Sequence, residues 1–248
     1  MEKKRYYLLD SLRGMTLISM ILYHGTWDLV YIFGVDLPWY QTQAAYIWQQ
    51  SICWTFILLS GFCWSLSRHN IRRGLLVFGS SILISVVTCV AMPENRILFG
   101  VLSLIGTSML LLILLEHILR KIQPSVGALV SFLLFIMTRN INTGFVGTGT
   151  WTKIELPKEW YANLFSAYIG FPSADFWSTD YFSIFPWIFL YVTGYFLYQA
   201  AVRAKCMHWF TGIRLKTLEK IGRHSLVLYL LHQPLLYGVL YVVFEIIN

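Results

Sequence analysis

Apolar runs separated by short polar stretches organise the whole chain. They fall at 10–33, 44–67, 75–92, 97–119, 181–204 and 225–247, each close to the roughly 20 residues that a helix needs to cross a bilayer. A shorter run lies at 125–138. Lipid offers no hydrogen-bond partner to a bare backbone, so such runs are read as helices. The pattern predicts an all-α, polytopic membrane helix bundle forming a single domain, 1–248.

The weak run at 125–138 decides on which side every later loop lies, and the distribution of cations tests it. With seven spans, one face carries Lys3, Lys4, Arg5, Arg68, Arg72, Arg73, Arg120, Lys121, Arg203, Lys205, Arg214, Lys216, Lys220 and Arg223. The other carries Arg96, Arg139, Lys153 and Lys158. Omitting the weak run would move the six cations from Arg203 to Arg223 across the membrane and spoil the asymmetry. About seven transmembrane helices are expected, with the N-terminus cytoplasmic and the C-terminus outside.

Only 12% of the 248 residues are charged and 57% are apolar, against about 25% charged in a soluble domain. The net charge of +7 follows from orientation against an anionic inner leaflet and calls for no nucleic acid. Met1 to Arg5 and the run behind it read as a retained signal anchor, the run being too long for a signal peptide and lacking an A-x-A site. A bacterial inner (plasma) membrane is the expected location. Cys53, Cys63, Cys89 and Cys206 show no C-x-x-C spacing, so free, packed thiols and no metal site are expected.

Most connections are short. The exception, at about 140–180, is long enough to be a functional loop on the outside. Its rings, among them Trp151, Trp160, Tyr161, Phe165, Tyr168, Phe171, Phe176 and Trp177, fit an interfacial aromatic belt or a lid that stacks on a sugar. The Gly144–Gly149 run has no preceding strand and no crossover unit, so it reads as a flexible loop rather than a dinucleotide fingerprint.

Ionisable groups are costly inside a bilayer and tend to mark function there. At about 100° per residue, Asp10, Arg13, His24 and Asp28 fall within roughly 60° of one another on a helix, with Arg13 and His24 about 16 Å apart along its axis. His24 and Asp28 stand at i and i+4, where a carboxylate accepting from one ring nitrogen fixes the tautomer of the other, as a general base requires. Ser225, Tyr229 and His232 share one face of the last run, Pro234 predicting a bend toward the site. His232 lies about 15 Å beyond Gly222 and His24 about 21 Å beyond Asp10, so the two histidines reach similar depth. Polar bonding between packed helices is the competing reading for Ser225 and Tyr229.

Arg68, Arg72 and Arg73 mark a cytoplasmic loop, or, beside Arg13, hold phosphates in guanidinium forks. A ligand with phosphates at this face and a reactive end some 16 to 20 Å deeper is long and thin. Coenzyme A thioesters have that shape.

Arg13, ten residues, then His24 resembles the R-x10-H signature of the acyltransferase-3 family. The wider set is Leu9-Asp10-Ser11-Leu12-Arg13-Gly14, Leu59-Ser60-Gly61-Phe62, Phe99-Gly100-Val101-Leu102, Asp180-Tyr181 with Phe185-Pro186-Trp187, and Gly222-Arg223-His224-Ser225-Leu226 through Tyr229 to His232-Gln233-Pro234. This set resembles more closely the heparan-α-glucosaminide N-acetyltransferase catalytic-domain-like family, over nearly the whole chain. The chain departs from that family's pattern at Ser103, where a histidine is common.

The resemblance implies an acetyltransferase that takes acetyl from cytoplasmic acetyl-CoA and gives it to a hydroxyl or amine of a glycan-like acceptor on the far side. On this reading Arg13 and the Arg68–Arg73 loop bind phosphates, and Ser225 and Tyr229 line the cofactor's path. His24, oriented by Asp28, acts as general base, and His232 or Tyr229 donates to the oxyanion. Asp180 and Trp187 contact the acceptor. Membrane lipid is a further partner, and the exposed apolar faces allow a homodimer. Two alternatives stay open: a transporter or binder of an anionic metabolite, and a bis-histidine haem or quinone protein using His24 and His232.

Overall fold

The computed structural model describes residues 5–149, 152–212 and 214–247; Lys3, Lys4 and Trp151 lie outside them. A helix occupies every apolar run: α1 (Tyr7–Tyr31), α2 (Gln43–Trp64), α3 (Asn70–Ala91), α4 (Val101–Leu119) and α5 (Pro124–Thr138). After a short α6 (Leu164–Ile169) come α7 (Ile184–Arg203), α8 (Trp209–Gly212), α9 (Lys216–Arg223) and α10 (Ser225–Tyr241), the last prolonged by a π-helical segment at Val242–Ile247.

Among the described residues, five helical segments are long and apolar enough to cross a membrane: Asn70–Ala91, Val101–Leu119, Pro124–Thr143, Ile184–Arg203 and Ser225–Ile247. The weak run is among them. Pro124 opens α5 at a position that needs no N–H, Gln123 Oε1 accepts from the Val126 N–H at 2.7 Å, and a 3-10 turn at Ile141–Thr143 extends the segment. α1 and α2 are as long but less apolar, because α1 carries Asp10, Arg13, His24 and Asp28, and α2 carries Gln43, Gln49 and Gln50. The architecture is thus all-α and polytopic, and the chain is an integral membrane protein. Leu75, Leu76, Leu83 and Val90 of α3 and Leu114 and Ile118 of α4 are exposed, as side chains facing lipid should be.

The chain divides into two compact units within α2, 1–56 with 205–248 and 57–204. In the first, Leu17, Met20 and Ile52 form a buried core against which Trp48, Phe56, Ile221 and Leu228 pack. α1 and α9 meet backbone to backbone: a Cβ at Gly14 would strike the Leu218 carbonyl, and one at Gly222 the Asp10 carbonyl. Two of the glycines in the sequence motifs are therefore required by close helix approach.

In the second unit α7 is the most enclosed helix, with Tyr191 and Tyr195 fully buried. Gly61 of α2 faces the Tyr191 carbonyl, and Gly194 of α7 faces the Leu58 carbonyl. Ser131 of α5 and Thr193 of α7 share a 2.9 Å hydrogen bond, and the Trp64 indole N–H donates to the Met109 carbonyl at 3.1 Å. None of the four cysteines forms a disulfide. Cys89 departs from the expected packing, lying exposed on α3.

The long connection between α5 and α7 is more ordered than its composition suggests. β1 (Phe145–Val146) and β2 (Ile154–Glu155) pair antiparallel, with Phe145 opposite Glu155 and Val146 opposite Ile154. The glycine run expected as a flexible loop supplies β1, and Gly144 and Gly147 bracket it at φ 96° and 116°, a region that costs only glycine nothing. An Asn163–Ser166 capping box starts α6. Rings pack on one another at centroid distances of 5.5 Å (Tyr161–Phe171) and 4.9 Å (Phe176–Tyr181). Trp160, Phe165 and Trp177 stay exposed.

Candidate functional site

The depth arithmetic for the two histidines is met in the first unit. His24 of α1 and His232 of α10 face each other with ring centroids 5.0 Å apart and planes inclined at 57°. Rings this close leave no room between them for an iron and its macrocycle, which speaks against axial haem ligation by the pair. Asp28, one turn beyond His24, is fully buried.

The expected His24–Asp28 hydrogen bond is not among the bonds of the described residues. Gln233 reaches across from α10 instead, its Nε2 donating to Asp28 Oδ1 at 2.6 Å. Sequence reasoning missed Gln233, although its place between His232 and Pro234 pointed to the same helix turn. α10 runs on through Pro234 to Tyr241.

The hydrogen bonding settles the tautomer of His232. Its Nδ1 lies 2.5 Å from the Tyr229 carbonyl oxygen, an atom that can only accept, so Nδ1 carries the proton and Nε2 holds a lone pair. The Tyr229 ring packs edge-on against it, centroids 5.4 Å apart. His232 Nε2, Asp28 Oδ2 and Gln233 Oε1 are all buried and all without a hydrogen-bond partner. Each is an acceptor. Buried polar atoms are almost always satisfied, so three acceptors gathered around the Asp28–Gln233 contact, one from α1 and two from α10, mark the polar focus of the first unit.

A second constellation gathers at the other end of α1. Asp10 accepts from Arg13 Nη1 at 3.2 Å and from Arg5 Nε at 3.3 Å. Glu219 of α9 is buried and pairs with Arg223 and with Arg214, whose Nε lies 3.1 Å away. Arg5 Nε is 3.9 Å from the same carboxylate, and the Arg214 guanidinium sits 4.6 Å above the Tyr7 ring. Four arginines against two carboxylates leave an excess of two positive charges. Arg13 is thus one member of a network, and Arg5, Arg214, Arg223 and Glu219 are members that the sequence reading passed over. The Glu219–Arg223 spacing of four was the available signal. Ser225 opens α10 directly beyond α9.

The remaining candidates belong to the second unit. Arg68, Arg72 and Arg73 are exposed at the α2–α3 connection and the first turn of α3. Asp180 holds the start of α4: its Oδ2 accepts from the Val101 N–H at 3.2 Å and stands where a side chain on Gly100 would be. A carboxylate at a helix N-terminus is well placed, yet burial pushes its pKa up to about 6, against the opposing pull of the Val101 N–H. Trp187 is buried, its ring 4.8 Å from Phe182 and 5.2 Å from Phe135. These placements give Asp180 and Trp187 visible structural work. Ser103, at the departure from the family pattern, is buried in α4.

Comparison with protein families finds one model, described as "Heparan-alpha-glucosaminide N-acetyltransferase, catalytic", matching residues 5–234. Comparison with curated proteins and with solved structures returns no match. The family match includes both histidines, Asp28, Gln233 and the arginine network.

Proposed function

The chain belongs to the heparan-alpha-glucosaminide N-acetyltransferase catalytic family, whose members are membrane acetyltransferases, and from that premise we propose that it moves acetyl from acetyl-CoA to an amine or hydroxyl of a glycan-like acceptor at or across the membrane. The observation that supports this most is the set of unpartnered acceptors at His232 Nε2, Asp28 Oδ2 and Gln233 Oε1. A group held there has to bring protons, as a neutral amine or the neighbouring hydroxyls of a sugar do.

In the proposed reaction His232 Nε2 removes a proton as the acceptor nitrogen or oxygen attacks the thioester carbonyl. His24, facing the same ring, donates to the developing oxyanion. The C–S bond breaks as the adduct collapses, acetyl stays on the acceptor, and the proton held by His232 passes to the departing thiolate. Asp28, held by Gln233, aligns the acceptor's protons. The two histidines so exchange the roles read from sequence, and the Tyr229 carbonyl is the reason, because it leaves His232 with the free lone pair. The phosphates of acetyl-CoA are assigned to Arg13 with Arg5, Arg214 and Arg223, about 16 Å along α1 from His24. Arg68, Arg72 and Arg73 remain proposed contributors.

The test is acceptor-dependent thiol release by the purified protein supplied with acetyl-CoA and a glucosamine-terminated oligosaccharide. His232→Ala and His24→Ala should each lower turnover by about 10²- to 10⁴-fold. Turnover equal to the parent in His232→Ala would remove it as the base, and thiol release indifferent to every acceptor would remove the transferase reading.

A further inference from the structure

Far along the chain from the histidines, the second unit holds a cavity of about 310 Å³ where α4 ends, α5 begins and α7 ends. Arg120, Lys121 and Arg203 line it together with Gln123, Gln199 and Phe196. No carboxylate is among the lining residues. Arg120 is engaged by Glu116, with Nε 2.7 Å from Oε1. Among the described residues neither Lys121 nor Arg203 forms an ion pair, so the cavity keeps two uncompensated cations.

Its position says what kind of anion would fill it. Three candidate spans end at this level, so the cavity lies where apolar helix gives way to polar connection. From its rim an exposed apolar surface continues down the helices: Leu114 and Ile118 on α4, Val126 and Leu129 on α5, Leu197 and Val202 on α7. A charged socket above an uncovered apolar face is complementary to an amphiphile with a phosphate head and hydrocarbon tails. Basic pockets between spans are known to hold such headgroups.

We propose that this cavity binds the phosphodiester headgroup of an anionic phospholipid, with Lys121 and Arg203 reading the charge and the acyl chains lying on α4, α5 and α7. Binding there is independent of the acetyl-transfer reading, since none of these residues has a role in that chemistry.

The test uses the full chain in nanodiscs of phosphatidylcholine containing phosphatidylglycerol, followed by mild detergent extraction and native mass spectrometry of retained lipid. The parent protein should retain phosphatidylglycerol over phosphatidylcholine. Lys121→Gln with Arg203→Gln should weaken that preference by on the order of 30-fold, from the worth of two cations near an anionic headgroup. Lys216→Gln with Lys220→Gln, the same charge change outside the cavity, should leave it intact. Both doubles alter exposed side chains, so thermal denaturation in phosphatidylcholine alone should match the parent. Retention unaffected by the cavity double, or lost equally in the control double, overturns the proposal. So does displacement of the lipid by millimolar inorganic phosphate or by coenzyme A, either of which would make the cavity a site for a soluble anion.

Discussion

Gln233→Leu isolates the bond that fixes the buried carboxylate. Asp28 is fully buried, and its 2.6 Å bond from Gln233 is the one hydrogen bond its side chain makes among the described residues. Hydrogen bonds to charged groups contribute about 1.5–3 kcal/mol, and leaving such a partner buried and unmatched incurs the full desolvation cost. At roughly 2–4 °C per kcal/mol for a chain of this size, Gln233→Leu should lower the melting temperature by about 3–12 °C. The reasoning also predicts an asymmetry: removing both partners at once is far milder than stranding one, so Asp28→Leu with Gln233→Leu should recover most of the loss. Thermal denaturation of the parent, both single variants and the double, in one detergent at one pH, forms a closed cycle. A double variant destabilised by the sum of the two singles would show that the groups do not depend on each other, and the argument from their contact would fail.

Other perturbations bear on separate parts of the molecule. Gly14→Ala drives a methyl into the Leu218 carbonyl and should cost about 1–3 kcal/mol, the usual range for overpacking; a melting temperature equal to the parent would show that α9 moves aside freely. Asp180, with its pKa raised to about 6, contributes stability that is complete below about pH 4 and lost as pH rises through about 6. Relative to Asp180→Asn, which keeps an acceptor for the Val101 N–H, the parent's stability should therefore fall between pH 4 and pH 7, by no more than about 3 kcal/mol for a pKa raised from 3.8 to about 6, read as a falling melting temperature. A difference that does not change with pH contradicts the burial of that carboxylate. Trp187→Ala should cost about 3–5 kcal/mol as a deletion of a buried ring, while activity per folded molecule stays near the parent's; selective loss of activity would return Trp187 to the acceptor site.

The helices were legible because a bilayer forces one periodicity and one length on every span. The positions of α1 to α5, α7 and α10 follow from apolar runs, and cation asymmetry singled out α5 although its own run is short. The similar depth of His24 and His232 followed from rise per residue, and their contact from the packing of α10 beside α1. What stayed hidden depends on which helix lies beside which. Gln233 is an unremarkable amide until α10 is placed against Asp28, and Glu219 is one acid beside Arg214 and Arg223 until α9 packs on α1 and brings Arg5 within 3.9 Å of it. The partner expected for Asp28 was sought on its own helix, at i−4, whereas a neighbouring helix supplied it. In the long connection, ring density suggested a surface, while much of it is spent on the loop's own interior.

The contact of Gly14 and Gly222 with facing carbonyls has a mechanical meaning. α9 cannot slide along α1 by a residue without bringing a Cβ onto a facing carbonyl, so the register of the two helices is fixed, and with it the distance from the guanidinium groups to the imidazole farther along α1. If the proposed donor path along α1 holds, a shortened donor such as acetyl-pantetheine would reach one end only, and donor length would be gauged before any bond is broken.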